Sequence, residues 1–338
     1  MVAAAAPRLR IVFFGTPAFA VPSLDAVLSS AHEVVAVVSQ PDRPKGRGQQ
    51  LQETPTRQLA LAHGIPVLQP AKIREEAFLQ QIRDLRPDLG VVVAFGRILS
   101  DALLAIPRLG MINVHASVLP AYRGAAPIQR AVMAGDAATG VTIMRVESEL
   151  DAGAMFAVAT VPIPPDATSG DMEAILAPLG ARLLLPVVDD LAAGRAVETP
   201  QDHPQATFAP KITKEEGTID WTLPAAAIHN RVRGLQPWPL ASTHLSGTRV
   251  VVRRTAPLGG GSADLPEPAT RSAASGFEQL SQLAPGTVVR AAGDEIVVAC
   301  GGGTLLQILE LQPEGRRTMT AREFLAGRGG LEGARFGT

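Results

Sequence analysis

Two polar side chains that could carry out chemistry lie two residues apart in an apolar run of the sequence. Asn113 and His115 occur in the segment Met-Ile-Asn-Val-His at residues 111–115, which has the apolar character of a buried strand. Because successive residues of a strand point to opposite faces, both side chains project from the same face. A carboxamide can donate a hydrogen bond, and a histidine can accept or release a proton near neutral pH. The pair is a candidate reaction centre, with hydrogen-bonded structure as the alternative from these two residues alone.

The strand that would position this pair belongs to a repeating strand-helix pattern. Residues 9–14 form an apolar run that ends at Gly-Thr-Pro, residues 19–28 have helical spacing, and residues 33–39 form a second apolar run. Such runs are typical of parallel strands buried on both faces of an α/β sheet. Further strands are predicted over residues 67–68, 88–95, 111–115, 139–146 and 156–161, and further helices over 57–63, 75–85, 125–134 and 172–191, the last kinked or broken by its two prolines. Ligands bind beyond the carboxyl ends of such strands, where His115 would stand.

The sequence divides into two parts of different character. From residue 211 onwards, short β-like runs separated by Gly and Pro replace the strand-helix pattern, which indicates a small β-barrel or sandwich. Residues 194–210 have little periodicity and contain three prolines, as expected of a linker. We therefore predict an α/β domain over residues 1–193, a linker over 194–210 and a β-rich domain over 211–338, with a flexible insertion at 259–281.

Composition indicates a folded protein of the cytoplasm. Hydrophobic residues make up 46% and charged residues 19% of the 338 residues, a globular balance, and the net charge of -1 gives no overall basic field. The single cysteine, Cys300, cannot form an internal disulfide, which suits a reducing compartment. No stretch resembles a signal peptide or a membrane span. The six histidines form no short-spaced cluster, so no metal is predicted.

The residues around the candidate pair carry a family resemblance. They read Asn-Val-His-Ala-Ser-Val-Leu-Pro-Ala-Tyr-Arg-Gly-Ala-Ala-Pro-Ile-Gln over residues 113–129, and Leu-Asp-Ala-Gly follows at 150–153. Together with Phe-Gly-Thr-Pro at 14–17 and Gln-Pro-Asp-Arg-Pro at 40–44, this pattern resembles the methionyl-tRNA formyltransferases. The resemblance covers residues 11 to about 326. It implies a Rossmann-like formyltransferase domain followed by a smaller, OB-like β-barrel that binds tRNA.

The chemistry implied by the resemblance is transfer of a formyl group from 10-formyltetrahydrofolate to the α-amine of methionine on initiator methionyl-tRNA. Attack by the amine creates a negative oxygen that needs preorganised donors. The resemblance makes Asn113 and His115 those donors and His115 also the acid. It makes Asp151, thirty-six residues after His115, the electrostatic partner of the imidazole and the base. Which of His115 and Asp151 first takes the proton stays open.

The same resemblance assigns binding roles. Residues 117–120 and the loop at 95–99 would hold the folate, because apolar walls with free backbone groups suit a flat pterin ring. The folate residues implied are Ser117, Val118, Leu119, Pro120, Phe95, Arg97, Ile98 and Leu99. Arg43, in a basic glycine-rich loop, would touch the acceptor end of the tRNA. The resemblance implies no membrane partner, and we expect a monomer.

Four positions depart from the family pattern. Glu149 stands where the family commonly has Gly, and Ala154 stands where it commonly has Asp. Gln49 and Gln50 replace positions that are often Lys, which removes part of the positive charge of the loop. If the turn requires a positive φ at Glu149, that residue would be strained and the loop before Asp151 would follow another path.

Two alternatives stay open at this point. The first is an enzyme with the same folate half and another amine acceptor, such as a purine precursor or a sugar nucleotide, because the catalytic trio specifies chemistry more than acceptor. The second is an RNA-binding protein that has lost catalysis. Trp221 and Trp238 could then stack on bases, although we expect both to pack in a core. Dinucleotide binding has little support, since no Gly-x-Gly-x-x-Gly loop follows the first strand.

Overall fold

The computed structural model describes residues 7–45, 50–258, 283–326 and 330–337. The predicted insertion at 259–281 therefore lies outside the described residues. The chain forms two compact units, of which the first comprises Met1–Ile128, Ala138–Pro162 and Asp171–Pro210 and the second Gln129–Ala137, Ile163–Gly170 and Lys211–Thr338. Residues 194–210, predicted as a linker, thus belong to the first unit, and two short stretches from the N-terminal part belong to the second.

A seven-stranded sheet forms the centre of the first unit. Its strands and those of two small ribbons are, in chain order, β1 (Arg10–Gly15), β2 (Glu33–Val38), β3 (Arg43–Lys45), β4 (Gln50–Gln52), β5 (Val67–Leu68), β6 (Leu89–Val93), β7 (Met111–His115), β8 (Arg123–Gly124), β9 (Ala138–Arg145), β10 (Met155–Pro162) and β11 (Phe208–Ala209). The sheet order is β10-β9-β7-β6-β1-β2-β5. Strands β5, β2, β1, β6 and β7 pair in parallel, whereas β9 pairs antiparallel with both β7 and β10. The α/β class predicted from the sequence is confirmed.

The α-helices between Val21 and Ala192 pack through buried apolar residues, and the fifth of them belongs to the second unit from Gln129 onward. They are α1 (Val21–Leu28), α2 (Pro55–Ala62), α3 (Glu76–Asp84), α4 (Asp101–Leu104), α5 (Pro127–Ala134) and α6 (Ser169–Ala192). In α3, for example, Phe78, Leu79 and Ile82 are buried. Across the described ranges, none of the helices is both long enough and apolar enough to span a bilayer.

The predicted break in the last of these helices is wrong. Helix α6 runs without interruption through Pro178 and Pro186. A proline inside a helix removes a backbone hydrogen bond, a loss that tertiary packing can offset. The packing is close, since a Cβ built on Gly180 would lie 2.6 Å from Cγ1 of Val114 on β7. Buried Leu184 and Val188 extend the contact surface of the helix.

The position of the site follows from the order of the strands. The chain adds β2 and β5 on one side of β1 and then β6 and β7 on the other. A crevice for ligands opens where the order reverses, beyond the carboxyl ends of the strands. The loops that follow β1, β6 and β7 therefore emerge at the same edge of the sheet.

The second unit is built on antiparallel strands. Its elements are α7 (Ala225–Gly234), β12 (Ala241–Leu245), β13 (Thr248–Leu258), β14 (Val288–Ala292), β15 (Glu295–Cys300), β16 (Thr304–Pro313), β17 (Met319–Thr320) and α8 (Ala321–Leu325). The sheet has the order β12-β13-β16-β15-β14, and β17 pairs with β16. The β-rich second half predicted from the sequence is confirmed at this level.

Two aromatic residues of this unit differ in their surroundings. Trp221 is buried, donates from its indole Nε1 to Thr243 Oγ1 at 3.0 Å and stacks on Phe336. Trp238 is 55% exposed, so the prediction that it packs in a core is wrong. The prolines on both sides restrict its backbone, but they do not bury the indole ring.

Burial raises the pKa of the Cys300 thiol to about 12, which leaves it protonated and unreactive at neutral pH.

Candidate active site

The pair singled out by the sequence lies on β7, where parallel pairing gives way to antiparallel pairing. Asn113 is opposite Val92 of β6 and Met144 of β9, and His115 is opposite Thr142 of β9. The two side chains occupy alternate positions and share one face of the strand. His115 is only 5% exposed and Asn113 is half-buried. Within the described part of the chain, no side chain or backbone group hydrogen-bonds the Asn113 carboxamide, so its N–H donors are available to a substrate.

The hydrogen bonds of the His115 ring define its tautomer. Nε2 lies 2.9 Å from the backbone carbonyl oxygen of Tyr122. A carbonyl oxygen only accepts, so Nε2 must carry the hydrogen and donate it. Nδ1 faces Oδ2 of Asp151 at 3.7 Å. In the neutral ring Nδ1 is therefore a free lone pair, and in the charged ring it is an N–H directed at a carboxylate.

The carbonyl that orients His115 is itself held in place. Tyr122 has a φ of 62°, in the left-handed region, and its N–H donates to Thr207 Oγ1 at 2.9 Å. The next amide, that of Arg123, donates to the Thr207 carbonyl at 2.9 Å. Parallel pairing of β8 with β11 continues this contact. Residues from the predicted linker thus fix the group that selects the imidazole tautomer.

Asp151 is held from two sides. Its Oδ2 accepts from the Gly124 N–H at 2.8 Å, and its carbonyl accepts from Gln201 Nε2 at 2.9 Å. The positive φ anticipated at Glu149 falls instead on Asp151, whose φ is 48°. Asp tolerates this conformation better than most residues. Glu149 is not among the described residues with positive φ, so its replacement of Gly causes no backbone strain.

Gly124 is required by its conformation and by its surroundings. Its φ is 124°, and a Cβ would lie 2.8 Å from the carbonyl oxygen of Ala209. We expect Gly124→Ala to lower the free energy of unfolding by about 1–3 kcal/mol, because strain and steric overlap add together. Urea unfolding checks this expectation. Gly194→Ala is the matched control, since Gly194 also has positive φ, at 66°, but no atom within 4 Å of its Cβ position; equal losses in the two variants would show that the overlap has no effect.

The segment that follows β7 is fixed by a residue that the sequence did not reveal. Thr142 Oγ1 donates to the Ser117 carbonyl at 2.7 Å and accepts from the Leu119 N–H at 3.1 Å. Ser117 Oγ donates to the Ala121 carbonyl at 2.6 Å. Leu119 is buried, while Val118 and the neighbouring Pro120 are half-buried. The sequence placed Thr142 at the start of a predicted strand and gave it no role at the site, because the pairing of β9 with β7 is a tertiary contact.

The loop after β6 contributes less through its side chains than the sequence suggested. Phe95 packs edge-on against Phe14 with ring centroids 5.5 Å apart, and Leu99 is in the same core. Arg97 donates from Nε to Gln40 Oε1 at 3.0 Å. Ile98 is 70% exposed. Of these predicted folate residues, only Ile98 presents an apolar side chain to solvent.

Arg43 lies apart from the catalytic trio. It is exposed on β3, which follows β2 and pairs with β4, and two strands separate β2 from β7 in the sheet. Asp42 fixes the root of this hairpin, since its carboxylate accepts from the Thr54 N–H, from Gln69 Nε2 and from Arg57 Nη1. The structure therefore brings Asn113, His115 and Asp151 together and leaves Arg43 at a separate place on the same edge.

Matches to two protein-family models agree with the division into an α/β part and a β-rich part. The family model for formyl transferase matches residues 9–188, and the model for the formyl transferase C-terminal domain matches residues 211–329. The fold and the site thus define a protein of the formyl transferase class. Methionyl-tRNA formyltransferase of Trichlorobacter lovleyi is 46% identical over 318 residues, which cover 94% of each chain. That of Methylococcus capsulatus is 44% identical over 330 residues, covering 98% of this chain and 100% of the relative. The chain belongs to the methionyl-tRNA formyltransferase family.

A solved structure of lower identity shares the fold. The N-formyltransferase from Helicobacter canadensis, solved with folinic acid and dTDP-3-aminofucose, aligns with a TM-score of 0.63 at 15% identity. The alignment covers 89% of this chain and 98% of that one. At this identity the likeness concerns the fold alone.

Proposed function

We propose that this enzyme transfers the formyl group of 10-formyltetrahydrofolate to the α-amine of methionine on initiator methionyl-tRNA, which gives formylmethionyl-tRNA for translation initiation. Two relatives of this name, at 46% and 44% identity over nearly the whole chain, support the choice of acceptor. One observation carries the chemistry: His115 Nε2 is committed to the Tyr122 carbonyl, and Nδ1 faces Asp151 beside a free Asn113. This arrangement can take a proton and stabilise the charge that results.

The first step is attack of the amine on the formyl carbon. A carbon-nitrogen bond forms, and the formyl oxygen gains the negative charge. His115 accepts the amine proton at Nδ1, the ring nitrogen that has a lone pair in the neutral tautomer. In this proposal His115 is the first proton acceptor. Asp151 then acts as electrostatic partner, not as the initial base.

The second step is collapse of the tetrahedral intermediate. Asn113 donates a hydrogen bond to the oxyanion, and the charged His115 is held between the Tyr122 carbonyl and the Asp151 carboxylate. Nδ1–H then returns its proton to the folate nitrogen as the bond from that nitrogen to the formyl carbon breaks. The proton ends on the released tetrahydrofolate, and His115 returns to the neutral tautomer.

The folate fits between two segments at the ends of neighbouring strands. β6 and β7 pair in parallel, so residues 95–99 and 117–120 leave the sheet side by side. Half-buried Val118 and exposed Ile98 supply apolar surface, and no atom lies within 4 Å of the Cβ position of Gly96. Apolar groups that are at least partly exposed, beside the open space at Gly96, suit a flat ring. The folate supplies the formyl group, and the chain supplies position and proton transfer.

We assign tRNA binding to the second unit together with the Arg43 hairpin. The antiparallel sheet acts in this proposal as an OB-like barrel, on which Arg249, Arg253 and Arg254 meet phosphates. Boundaries at 193 and 210, a monomeric state and a cytoplasmic location stay predictions from the sequence.

Arg43→Ala should weaken tRNA binding without affecting folate. Removal of one phosphate contact is expected to raise KM for methionyl-tRNA and to reduce the slope of log affinity against log salt by about 1. Steady-state kinetics at several salt concentrations measure both. Arg74→Ala, at another exposed arginine of the same unit, is the control and should match the parent enzyme. An unchanged salt slope in Arg43→Ala would exclude the proposed phosphate contact.

The proposed acceptor is tested by single-turnover formylation. Charged initiator tRNA, charged elongator tRNA, glycinamide ribonucleotide and an amino-sugar nucleotide are compared with labelled 10-formyltetrahydrofolate. We expect rapid transfer to initiator methionyl-tRNA and slow or no transfer to the others. Transfer to a small amine alone would replace the proposed acceptor, and binding of tRNA without any transfer would favour the RNA-binding alternative.

A further inference from the structure

A buried arginine next to the site has no role in the mechanism above. The Arg123 guanidinium is only 2% exposed. Its Nε and Nη2 donate to Gln201 Oε1 at 3.1 and 2.8 Å, and Nη2 also lies 3.2 Å from His203 Nδ1. Among the described residues, Glu149 provides the one carboxylate within 4 Å, with Oε1 3.6 Å from Nη1. A buried charge is costly unless it is fully bonded, so this arrangement needs an explanation.

Gln201 connects the arginine to Asp151. Its Nε2 donates to the Asp151 carbonyl at 2.9 Å and to the Gly153 carbonyl at 2.7 Å. The carboxamide oxygen accepts from Arg123, so a rotation of the amide by about 180° would lose the hydrogen bonds of both its oxygen and its nitrogen. Gln201 is buried and thereby ties the backbone on both sides of Ala152.

The residues on either side of Arg123 act on the same two catalytic groups. The Tyr122 carbonyl accepts from His115 Nε2, and the Gly124 N–H donates to Asp151 Oδ2. Three consecutive residues therefore act on the catalytic pair. Tyr122 orients the imidazole, Arg123 orients the Asp151 backbone through Gln201, and Gly124 orients the Asp151 carboxylate. The result is a closed circuit of hydrogen bonds around the 3.7 Å gap between His115 and Asp151.

We propose that Gln201, oriented by Arg123, is a positioning residue that sets the distance between the Asp151 carboxylate and His115. The proposal rests on the proposed function, since formyl transfer is its readout. Gln201 holds Asp151 in its left-handed conformation, with φ at 48°. Such a conformation is strained for a residue other than glycine and persists only where the surrounding contacts hold it. Glu149, at the position where the family commonly has Gly, supplies the counter-charge to Arg123 in this chain.

Gln201→Glu is the sharpest test. The new carboxylate keeps an oxygen for Arg123 but places its second oxygen against two carbonyl oxygens, so Asp151 should move. A displacement of about 1 Å in a catalytic group lowers turnover by about 10²-fold, and we expect a loss of that order in kcat. KM for both substrates should change little. Gln205→Glu, at an exposed glutamine four residues away, is the matched control and should keep the parental kcat.

A double-mutant cycle separates positioning from general stability. In an Asp151→Ala background, Gln201→Glu should cost little further activity, because the group that it positions is gone. A merely structural residue would cost the same factor in both backgrounds, and that result overturns the proposal. If Gln201→Glu does not fold, Arg123→Lys tests the same circuit, since a lysine cannot make the forked contact that fixes the carboxamide. A parent enzyme that transfers no formyl group to methionyl-tRNA would refute the proposed function instead.

Discussion

His115→Ala is expected to lower kcat for formyl transfer to methionyl-tRNA by about 10²- to 10⁴-fold, the contribution usual for a positioned acid-base group. The variant loses the lone pair that takes the amine proton and the charge that faces the oxyanion. Affinity for tRNA should stay within a few-fold of the parent, because the ring is buried and bonded to Tyr122. Single-turnover kinetics and a tRNA-binding titration measure the two quantities separately.

The cavity left by the ring allows a second check on His115. Added imidazole should restore part of the lost turnover in His115→Ala, since a free ring can present a lone pair in the same place. His63→Ala is the control, because His63 is exposed at the end of α2. Undiminished turnover in His115→Ala would remove the mechanism proposed here.

Asp151→Asn is expected to lower kcat by about 10²- to 10³-fold, as for loss of a preorganised charge-stabilising group. The new side-chain oxygen should face the Gly124 N–H, as Oδ2 does now. The same Oδ2 lies 3.7 Å from His115 Nδ1, so a neutral amide oxygen would face the ring where a carboxylate faces it now. The variant therefore loses the counter-charge that stabilises the protonated imidazole. Rapid-quench kinetics with saturating substrates measure the loss.

The relative size of the two losses reports the order of proton transfer. If Asp151 took the amine proton first, Asp151→Asn should cost at least as much as His115→Ala. We expect the smaller loss for Asp151→Asn, because His115 keeps its ring. Asp84→Asn, at an exposed carboxylate on α3, serves as the control and should leave kcat unchanged.

Local pattern was sufficient to predict the strand that carries the site. The apolar run at residues 111–115 coincides with β7 as the structure has it. Strand alternation then placed Asn113 and His115 on one face without any tertiary information. The other long parallel strands, β1, β2 and β6, could be predicted for the same reason, since buried parallel strands have continuous apolar sequences.

The partners of these residues could not be predicted, because they come from distant parts of the chain. Thr142 bonds the segment after β7 from a strand that pairs with it only in the fold, and Gln201 reaches Asp151 across fifty residues. Both are neutral polar residues with no sequence pattern of their own. A positive φ was expected at Glu149 only if the turn required one there. The positive φ lies two residues later, at Asp151, where hydrogen bonds from Gln201 and Gly124 hold the chain.

The tryptophans show a second limit of local sequence. Proline neighbours gave Trp238 the same expectation as Trp221, yet Trp238 is largely exposed. Trp221 is buried because Phe336 stacks on it from the far end of the chain. Burial of a single aromatic residue depends on such remote neighbours, which a sequence window does not contain.

The pairing of β8 with β11 limits how this enzyme can be recombined with its relatives. Thr207 and Gln201 both precede residue 211, where the main part of the second unit begins, and both support the catalytic pair. A chimera joined at residue 194 would give Arg123 and Tyr122 partners from another lineage. A crossover after Pro210 transfers only residues 211–338 and leaves the hydrogen bonds described above around His115 and Asp151 within one parental sequence.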